Sequence, residues 1–366
     1  MKTVFIVLFF TALIGTLVLE GLQIKNTLSP QTLPSPTTVP MTVVPTKKVD
    51  RPSFVFIPDW TNFAKELDIA KYERVIYFGL SADRNGLLND QGSAKIAAFT
   101  KAAGQKEKWL TLRLLNTDEN IALMTDGKRM DTVIKETIEQ SQKYSIDGVV
   151  LDLEMSVLPL ADVSNNITQF TQRFAAAAHS KSLKFAMTVY GDVFYRHRPY
   201  DVQKIATMVD EIIIMAYDFH KANGEPGPNF PLNGKEKFGY DFKQMTKDYL
   251  SVVPPDKISV TFGMYGYEWS VDEKQRPLHA AESLSYAEIK KKYIDSCDNK
   301  TCLLRRDELS AETEINYVQA VPTGVDYFVS APHIIWFEDQ NSVDKKVSFL
   351  LEKQIGSIGY WAYGYY

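Results

Sequence analysis

The segment "SIDGVVLDLEMS" (145–156) combines a run of Val and Leu with the acidic residues Asp147, Asp152 and Glu154. Successive side chains of a β-strand point to opposite faces, so Val150, Asp152 and Glu154 share one face and the other face is apolar. Burying an unpaired carboxylate costs several kcal/mol or shifts its pKa, so two acids at the end of a buried strand indicate a functional site. The alternative is a strand end whose acids are solvated.

Seven further runs rich in β-branched and aromatic residues occur along the chain, and stretches with helical spacing separate several of them. These runs cover residues 53–60, 74–80, 108–115, 184–191, 211–218, 258–266 and 355–364. Repeated alternation of strands and helices predicts an α/β fold, a (β/α)8 TIM barrel. A doubly wound open sheet is the alternative, but the sequence shows no Gly-rich phosphate-binding turn.

The gap between the seventh and eighth runs is about 90 residues long, too long for one helix, and contains short strand-like runs. It predicts a small α+β insertion over residues 270–333. Cys297 and Cys302 lie within this segment, in "CDNKTC". In an exported protein they are predicted to form a local disulfide, with two free thiols as the alternative.

The amino-terminal residues 1–22 contain an apolar run of about 16 residues preceded by a lysine. This pattern predicts a signal peptide or a membrane anchor, and the absence of a small-residue cleavage motif favours the anchor. Residues 23–50 are rich in Pro, Thr and Ser and predict an extended linker. We therefore expect a folded domain over residues 51–366, outside the cell or at its surface, with membrane contact through the amino-terminal segment only.

Composition narrows the choice of partners. The formal net charge is −4 and basic residues cluster in triplets at most, so no nucleic-acid partner is expected. The five histidines lack metal-ligand spacing, so we predict neither a metal nor another cofactor, and we expect a monomer. The 19 Tyr, 20 Phe and 5 Trp suit stacking on sugar rings, but they suit a large core equally well.

In TIM barrels the active site lies at the carboxyl ends of the strands. Acidic and aromatic residues end most of the runs here: Asp59, Trp60, Asp152, Glu154, Tyr190, Tyr217, Asp218, Tyr265 and Trp361. The β-carbons of Asp152 and Glu154 should lie about 6.5–7 Å apart, so both reach one substrate. Glu154, nearer the mouth, suits a general acid and Asp152 suits an orienting role, a pairing that fits glycosidic cleavage.

The pattern Asp147-Gly148-x-x-x-Asp152-x-Glu154 resembles the DGxDxDxE signature of family 18 glycoside hydrolases, the chitinases and their relatives. Three further stretches resemble motifs of this family in the same order: "IIIMAYDFH" (212–220), "TFGMYGYEW" (261–269) and "IGYWAYGY" (358–365). The segment "HIIWFEDQNS" (333–342) is similar to the branch that includes bacterial spore-cortex and cell-wall hydrolases. The resemblance covers nearly all of the predicted folded domain.

The resemblance implies retaining hydrolysis of β-1,4-linked N-acetylglucosamine in chitin or peptidoglycan, with the substrate's acetamido carbonyl as nucleophile. It implies Glu154 as the acid/base, Asp152 as the acceptor of the acetamido N–H, and Tyr217 as the donor to the acetamido oxygen. The predicted substrate-binding residues are Trp361, beneath the sugar, with Met215, Asp218, Asp147, Tyr265 and Tyr190. For Asp147 a structural turn, and for Tyr190 filling of the barrel, are the alternatives.

Val150 departs from the family pattern, which has an aspartate there. Loss of that like charge favours ionisation of Asp152, whereas desolvation by an apolar neighbour opposes it. The main rival interpretation is a non-catalytic, lectin-like barrel that binds carbohydrate, and another is a scaffold that docks a protein partner. Retention of Glu154, Asp152 and Tyr217 favours the enzyme.

Overall fold

The computed structural model describes residues 53–297, 302–324, 327–355 and 357–366. The predicted anchor, 1–22, and linker, 23–50, lie outside the described residues. Across the described ranges, no helix combines the length and the apolar character needed to cross a membrane.

Thirteen strands are described, and eight of them form a closed barrel. They are β1 Ser53–Pro58, β2 Arg74–Ser81, β3 Glu107–Leu114, β4 Gly148–Leu153, β5 Lys184–Tyr190, β6 Glu211–Ala216, β7 Ile258–Gly263, β8 Tyr265–Ser270, β9 Glu282–Ser285, β10 Cys302–Arg306, β11 Thr313–Gly324, β12 Tyr327–Phe337 and β13 Ser357–Trp361. The barrel order is β1-β13-β7-β6-β5-β4-β3-β2, and its neighbouring strands are parallel. This arrangement confirms the predicted (β/α)8 barrel.

Helices follow most of the barrel strands on the outside. They are α1 Asp90–Ala103, α2 Thr117–Met124, α3 Gly127–Lys143, α4 Ala161–His179, α5 Val202–Met208, α6 Lys235–Phe238, α7 Phe242–Leu250, α8 Tyr286–Ile289 and α9 Gln340–Glu352. The crossover from β1 to β2, residues 59–73, is described throughout and contains no helix. Asn89, Asn116 and Asp126 cap α1, α2 and α3 by accepting hydrogen bonds from backbone N–H groups of the first turn, which stabilises these helix starts.

Strand β4 has the alternation that its sequence predicts. Val149, Leu151 and Leu153 belong to the core between the barrel and its helices. Val150 belongs instead to a second apolar cluster, with Phe56 and Trp109 among its members, that fills the barrel interior. Asp152, two residues after Val150, therefore points into the barrel near its carboxyl end.

The insertion between β7 and β13 contains a five-stranded antiparallel sheet in the order β10-β11-β12-β8-β9. It starts at Tyr265 and ends at Phe337, beyond both bounds of the predicted 270–333 segment. The sheet is longer because β8 pairs with β12 as far as Gly266 and Phe337, next to the barrel. Cys297 and Cys302 form a disulfide with their Cα atoms 5.6 Å apart.

Candidate active site

A cavity of about 250 Å³ opens at the carboxyl ends of the barrel strands. Seven of the predicted site residues line it: Glu154, Asp152, Tyr217, Trp361, Met215, Asp218 and Tyr265. The position at this end of the barrel follows from the fold, because the carboxyl ends of all eight strands converge there. Among these seven residues, the cavity therefore brings three carboxylates, two tyrosines and a tryptophan within reach of one ligand.

Asp152 is the buried acid of the site, with only 3% of its surface exposed. The Thr188 hydroxyl on β5 donates a hydrogen bond to its Oδ1. Burial, followed by the nearby charge of Glu154, raises the pKa of Asp152 to about 7. The desolvation of Asp152 therefore has a larger effect on its pKa than the absence of a like charge at position 150, where the family has an aspartate.

Glu154 lies directly after β4 and is half-buried at the mouth of the cavity. Its backbone N–H donates to the Leu114 carbonyl at 2.9 Å, which continues the β3–β4 ladder by one residue. The Tyr200 hydroxyl donates to the Leu153 carbonyl at 2.7 Å and accepts from the Met155 N–H at 2.9 Å. The backbone on both sides of Glu154 is therefore fixed.

Tyr217 and Asp218 follow β6, two strands from β4 in the barrel order, and line the same cavity. Burial, followed by the charges of Asp152 and Glu154, raises the pKa of Tyr217 well above its ordinary value, so its hydroxyl stays protonated. The Asp218 carboxylate accepts hydrogen bonds from Tyr265 and, at 2.7 Å, from Tyr267. The Asp218 backbone has a left-handed φ of 58°, a conformation that costs energy outside glycine unless surrounding contacts hold it.

The insertion supplies part of that support. The Asp218 N–H donates to Asn229 Oδ1 at 2.8 Å. Fully buried Glu312 in turn accepts from the N–H groups of Asn229 at 2.5 Å and Phe230 at 2.7 Å. Lys346 Nζ, which also pairs with buried Glu338, donates to Glu312 at 2.9 Å. A buried ion pair on the insertion and α9 thus positions the loop that holds Asp218.

Trp361, at the end of β13, forms an aromatic floor with the residues around it. Its ring lies edge-to-face on Phe78, with centroids 4.5 Å apart, and 5.9 Å from Phe56. Trp60 stands at the rim, 56% exposed, with its ring centroid 6.4 Å from that of Trp361. Two indole rings at the mouth provide apolar surface for a pyranose ring.

Two of the predicted substrate-binding residues have other roles. Asp147 precedes β4 at the amino end of the barrel, the end opposite the cavity, and its carboxylate accepts from the Lys108 N–H at 2.7 Å. The prediction that it binds substrate is wrong, and the alternative of a structural residue fits this contact. Tyr190 is buried, and its hydroxyl donates to Glu154 Oε2 at 2.8 Å, so it contacts the predicted acid instead of the cavity.

Sequence reasoning did not single out Thr188, Arg113 or Tyr200. Strand alternation could have identified Thr188, because it lies two residues before Tyr190 and therefore on the same inward face of β5. Arg113 lines the cavity beside Asp152, to which it is aligned in the β3–β4 register, and its Nη2 lies 3.3 Å from Asp59 Oδ2. Within the described ranges, no group of three or more His, Cys, Asp or Glu side chains is arranged to hold a metal ion.

A closed eight-stranded barrel with paired carboxylates and an aromatic floor at its carboxyl rim defines a TIM-barrel enzyme. The chain belongs to the glycosyl hydrolases family 18, whose family model matches residues 55–365. The fold and the strand-four motif predicted from the sequence agree with this membership.

The relatives of this chain include a bacterial enzyme and a plant enzyme. The cortical fragment-lytic enzyme of Bacillus anthracis is 24% identical over 300 residues, which cover 79% of this chain and 64% of the relative. The class V chitinase of Arabidopsis thaliana is 24% identical over 249 residues, 63% of this chain and 60% of the relative. The chain therefore spans slightly less than two thirds of the length of these relatives.

Solved structures show the same fold. The spore cortex-lytic enzyme SleL of Bacillus cereus superposes with a TM-score of 0.66 at 21% identity, covering 86% of this chain and 71% of that one. The group IV chitinase of Ostrinia furnacalis, in complex with allosamidin, superposes with a TM-score of 0.70 at 16% identity, covering 86% and 92%. At these identities the likeness supports the fold alone.

Proposed function

We propose that the protein is a retaining glycosidase that hydrolyses β-1,4-linked N-acetylglucosamine polysaccharide, chitin or peptidoglycan. The observation that carries this proposal is the placement of half-buried Glu154 at the mouth of the cavity with buried Asp152 beside it. One acid is accessible to a glycosidic oxygen, and the other is shielded from water. Family membership and the similarity to a cortical fragment-lytic enzyme and a class V chitinase support the same class of substrate.

In the proposed reaction, Glu154 donates its proton to the glycosidic oxygen as the bond to the anomeric carbon breaks. The acetamido carbonyl oxygen of the same sugar attacks that carbon and forms an oxazolinium intermediate. Asp152 accepts the acetamido N–H, and the Tyr217 hydroxyl donates to the acetamido oxygen. Glu154, now a carboxylate, takes a proton from water, which opens the intermediate with retained configuration and restores the acid.

The site residues have separate tasks in this scheme. Burial raises the pKa of Asp152 to about 7, and its carboxylate form is the one that opposes the positive charge of the oxazolinium, so the Asp152 proton passes to solvent before that charge develops. Trp361 supports the apolar face of the sugar from below, and Asp218, held by Tyr265 and Tyr267, lines the wall of the same pocket. The protein itself supplies no nucleophile in this mechanism.

The test is incubation of the full chain with chitin oligomers, peptidoglycan glycan strands and deacetylated chitosan oligomers, followed by mass analysis of the products. We expect cleavage of acetylated substrates and none of the deacetylated ones, with inhibition by a thiazoline analogue of the intermediate. Efficient cleavage of oligomers without N-acetyl groups would require a protein nucleophile and contradict the mechanism. Binding of acetylated oligomers without cleavage would identify a lectin-like barrel instead.

Export belongs to the same proposal, because both candidate polymers lie outside the cytoplasm. The apolar run within residues 1–22 and the linker of residues 23–50 support tethering of the domain at the cell surface. Fractionation of expressing cells, with protease added from outside, tests it. The proposal predicts that the domain is membrane-associated and accessible to the protease.

A further inference from the structure

The hydrogen bond from Tyr190 to Glu154 rests on a second layer of charged residues. The guanidinium carbon of Arg198 lies 3.7 Å from the centroid of the Tyr190 ring, so the cation covers one face of that ring. Such contacts are attractive because the ring face carries negative charge, and they are strongest where water is excluded. The Arg198 side chain is 11% exposed, so its position here is well shielded.

Arg198 is itself held in one orientation. Its Nε donates to Asp192 Oδ1 at 2.6 Å and its Nη2 donates to Oδ2 at 3.1 Å, a bidentate pair with a carboxylate that is 4% exposed. A guanidinium bound at both nitrogens has a fixed plane, which a lysine ammonium cannot reproduce. The backbone of Tyr190 is also fixed, because the Tyr249 hydroxyl donates to its carbonyl at 2.7 Å.

We propose that Arg198 is a positioning residue for hydrolysis: by stacking on Tyr190, it fixes the hydroxyl that donates to Glu154. This inference rests on the proposed function for the role of Glu154. Tyr190 acts on the carboxylate directly, and Arg198 acts through Tyr190. The Asp192–Arg198–Tyr190 chain therefore keeps one Glu154 oxygen occupied and leaves the other for the substrate and the water.

The chemistry of the hydrogen bond fixes the direction of the effect. Burial, followed by the charge of Glu154, raises the pKa of Tyr190 far above its ordinary value, so Tyr190 remains the proton donor. A donated hydrogen bond stabilises the carboxylate form of Glu154, and its loss makes that form harder to reach. The other titratable or charged groups that face this pair are Asp152, Tyr200, Tyr217 and, 5.5 Å from the Tyr190 ring, Lys221.

The chain offers a matched control in Arg196. It also binds Asp192, through Nη1, but its guanidinium lies 4.9 Å from the Phe219 ring and donates to the Phe219 carbonyl at 2.6 Å. Arg196→Met therefore removes a cation from Asp192 without touching Tyr190. Conversely, Arg198→Met leaves Asp192 bound to Arg196, so its buried carboxylate keeps a partner and the fold is preserved.

Two measurements on the full chain test the proposal: the pH–rate profile with an N-acetylglucosamine oligomer, and a ¹³C NMR titration of the glutamate carboxyl groups. The Glu154 resonance is identified by its loss in Glu154→Gln. In Tyr190→Phe, Arg198→Met and Arg198→Lys, the NMR midpoint of Glu154 and the alkaline limb of the rate profile should move to higher pH by roughly 0.5–1.5 units. Arg196→Met should leave both at the wild-type pH.

Further variants separate positioning from a direct effect of charge. Arg198→Lys keeps the charge, so a wild-type midpoint in this variant would overturn the proposal. An unchanged midpoint in Tyr190→Phe, which keeps the ring, would also overturn it. Adding Arg198→Met to Tyr190→Phe should shift the midpoint little further, because the two residues act in series. If the wild type hydrolyses nothing, the proposed function fails, yet the NMR midpoints still decide whether Arg198 positions Glu154.

Discussion

At the amino end of the barrel, Glu211 accepts hydrogen bonds from Arg74 at 2.6 and 2.8 Å, whereas at the carboxyl end Asp152 receives one from Thr188 and faces a cavity. The guanidinium of Arg74 also lies between aromatic rings, 4.5 Å from the centroid of Phe54 and 4.3 Å from that of Trp109. Both ends hold a carboxylate in a largely apolar barrel. Of these two carboxylates, Glu211 alone is bound by a cation through two hydrogen bonds.

The difference shows that carboxylates at the two ends of one barrel suit different purposes, stabilising the fold at one end and chemistry at the other. A carboxylate that is paired with a cation and hydrogen-bonded is fully committed to its partners. A desolvated carboxylate beside a second acid keeps a proton that a small change in its surroundings can release. Asp152 and Glu154 therefore fit catalysis, and Glu211 fits closure of the barrel floor.

The largest expected effect is on activity at the carboxyl end. Glu154→Gln keeps the shape of the side chain but removes the transferable proton, so the hydrolysis rate should fall by roughly 10²–10⁴ while oligomer binding persists. Steady-state rates and binding titrations measure both quantities. The control is Glu139→Gln on α3, whose side chain is 60% exposed, and it should behave as wild type. Near-normal turnover in Glu154→Gln would refute its assignment as the acid.

The next effect is on stability at the amino end. Arg74→Met leaves Glu211, whose side chain is only 15% exposed, without its cation, so the free energy of unfolding should fall by about 3–5 kcal/mol. Urea denaturation measures it. Arg173→Met removes a guanidinium from Asp131 at 3.0 Å, but these two side chains are 39% and 65% exposed, so the loss there should stay below about 1 kcal/mol. Equal losses in the two variants would contradict the contrast between buried and exposed pairs.

The smallest effect is a change in the pH dependence of stability. The pKa of Asp152 is raised from 3.8 to about 7, so between these pH values the folded protein holds a proton that the unfolded chain has released. The free energy of unfolding should therefore decrease as pH rises from about 4 to about 7. Asp152→Asn should flatten this decrease, and exposed Asp256→Asn should not. Parallel stability curves for wild type and Asp152→Asn would show that Asp152 ionises normally.

The strand periodicity made most of the fold predictable. Alternation within β4 correctly assigned Val149 and Val150 to opposite faces. Successive side chains of a strand point to opposite sides, so one of them must face the helices and the other the barrel interior. The insertion bounds were less accurate: strand β8 starts only two residues after β7 ends, at Tyr265, and the sequence there shows a single continuous run. Local pattern cannot separate two strands when no turn signal lies between them.

The site was predictable where it depended on strand ends, and unpredictable where it depended on contacts between distant segments. Asp147 could have been rejected from the sequence, since it begins a strand whose other end carries the acids. Arg198 and Tyr200 could not have been found, because they lie more than forty residues from Glu154 in a loop without a strand pattern. Their contacts depend on tertiary structure alone.

Closure of the barrel by β1 and β13 has a consequence for biosynthesis. Ser53 pairs with Ile358, so the seam joins residues 305 positions apart (358 − 53). A nascent chain synthesised only to residue 350 would have no partner strand for one edge of β1 and would lack Trp361. During translation, the carboxylates of β4 would therefore be synthesised well before Trp361, which forms the aromatic floor. Any activity that needs both Glu154 and Trp361 would therefore arise only after strand β13 has been synthesised.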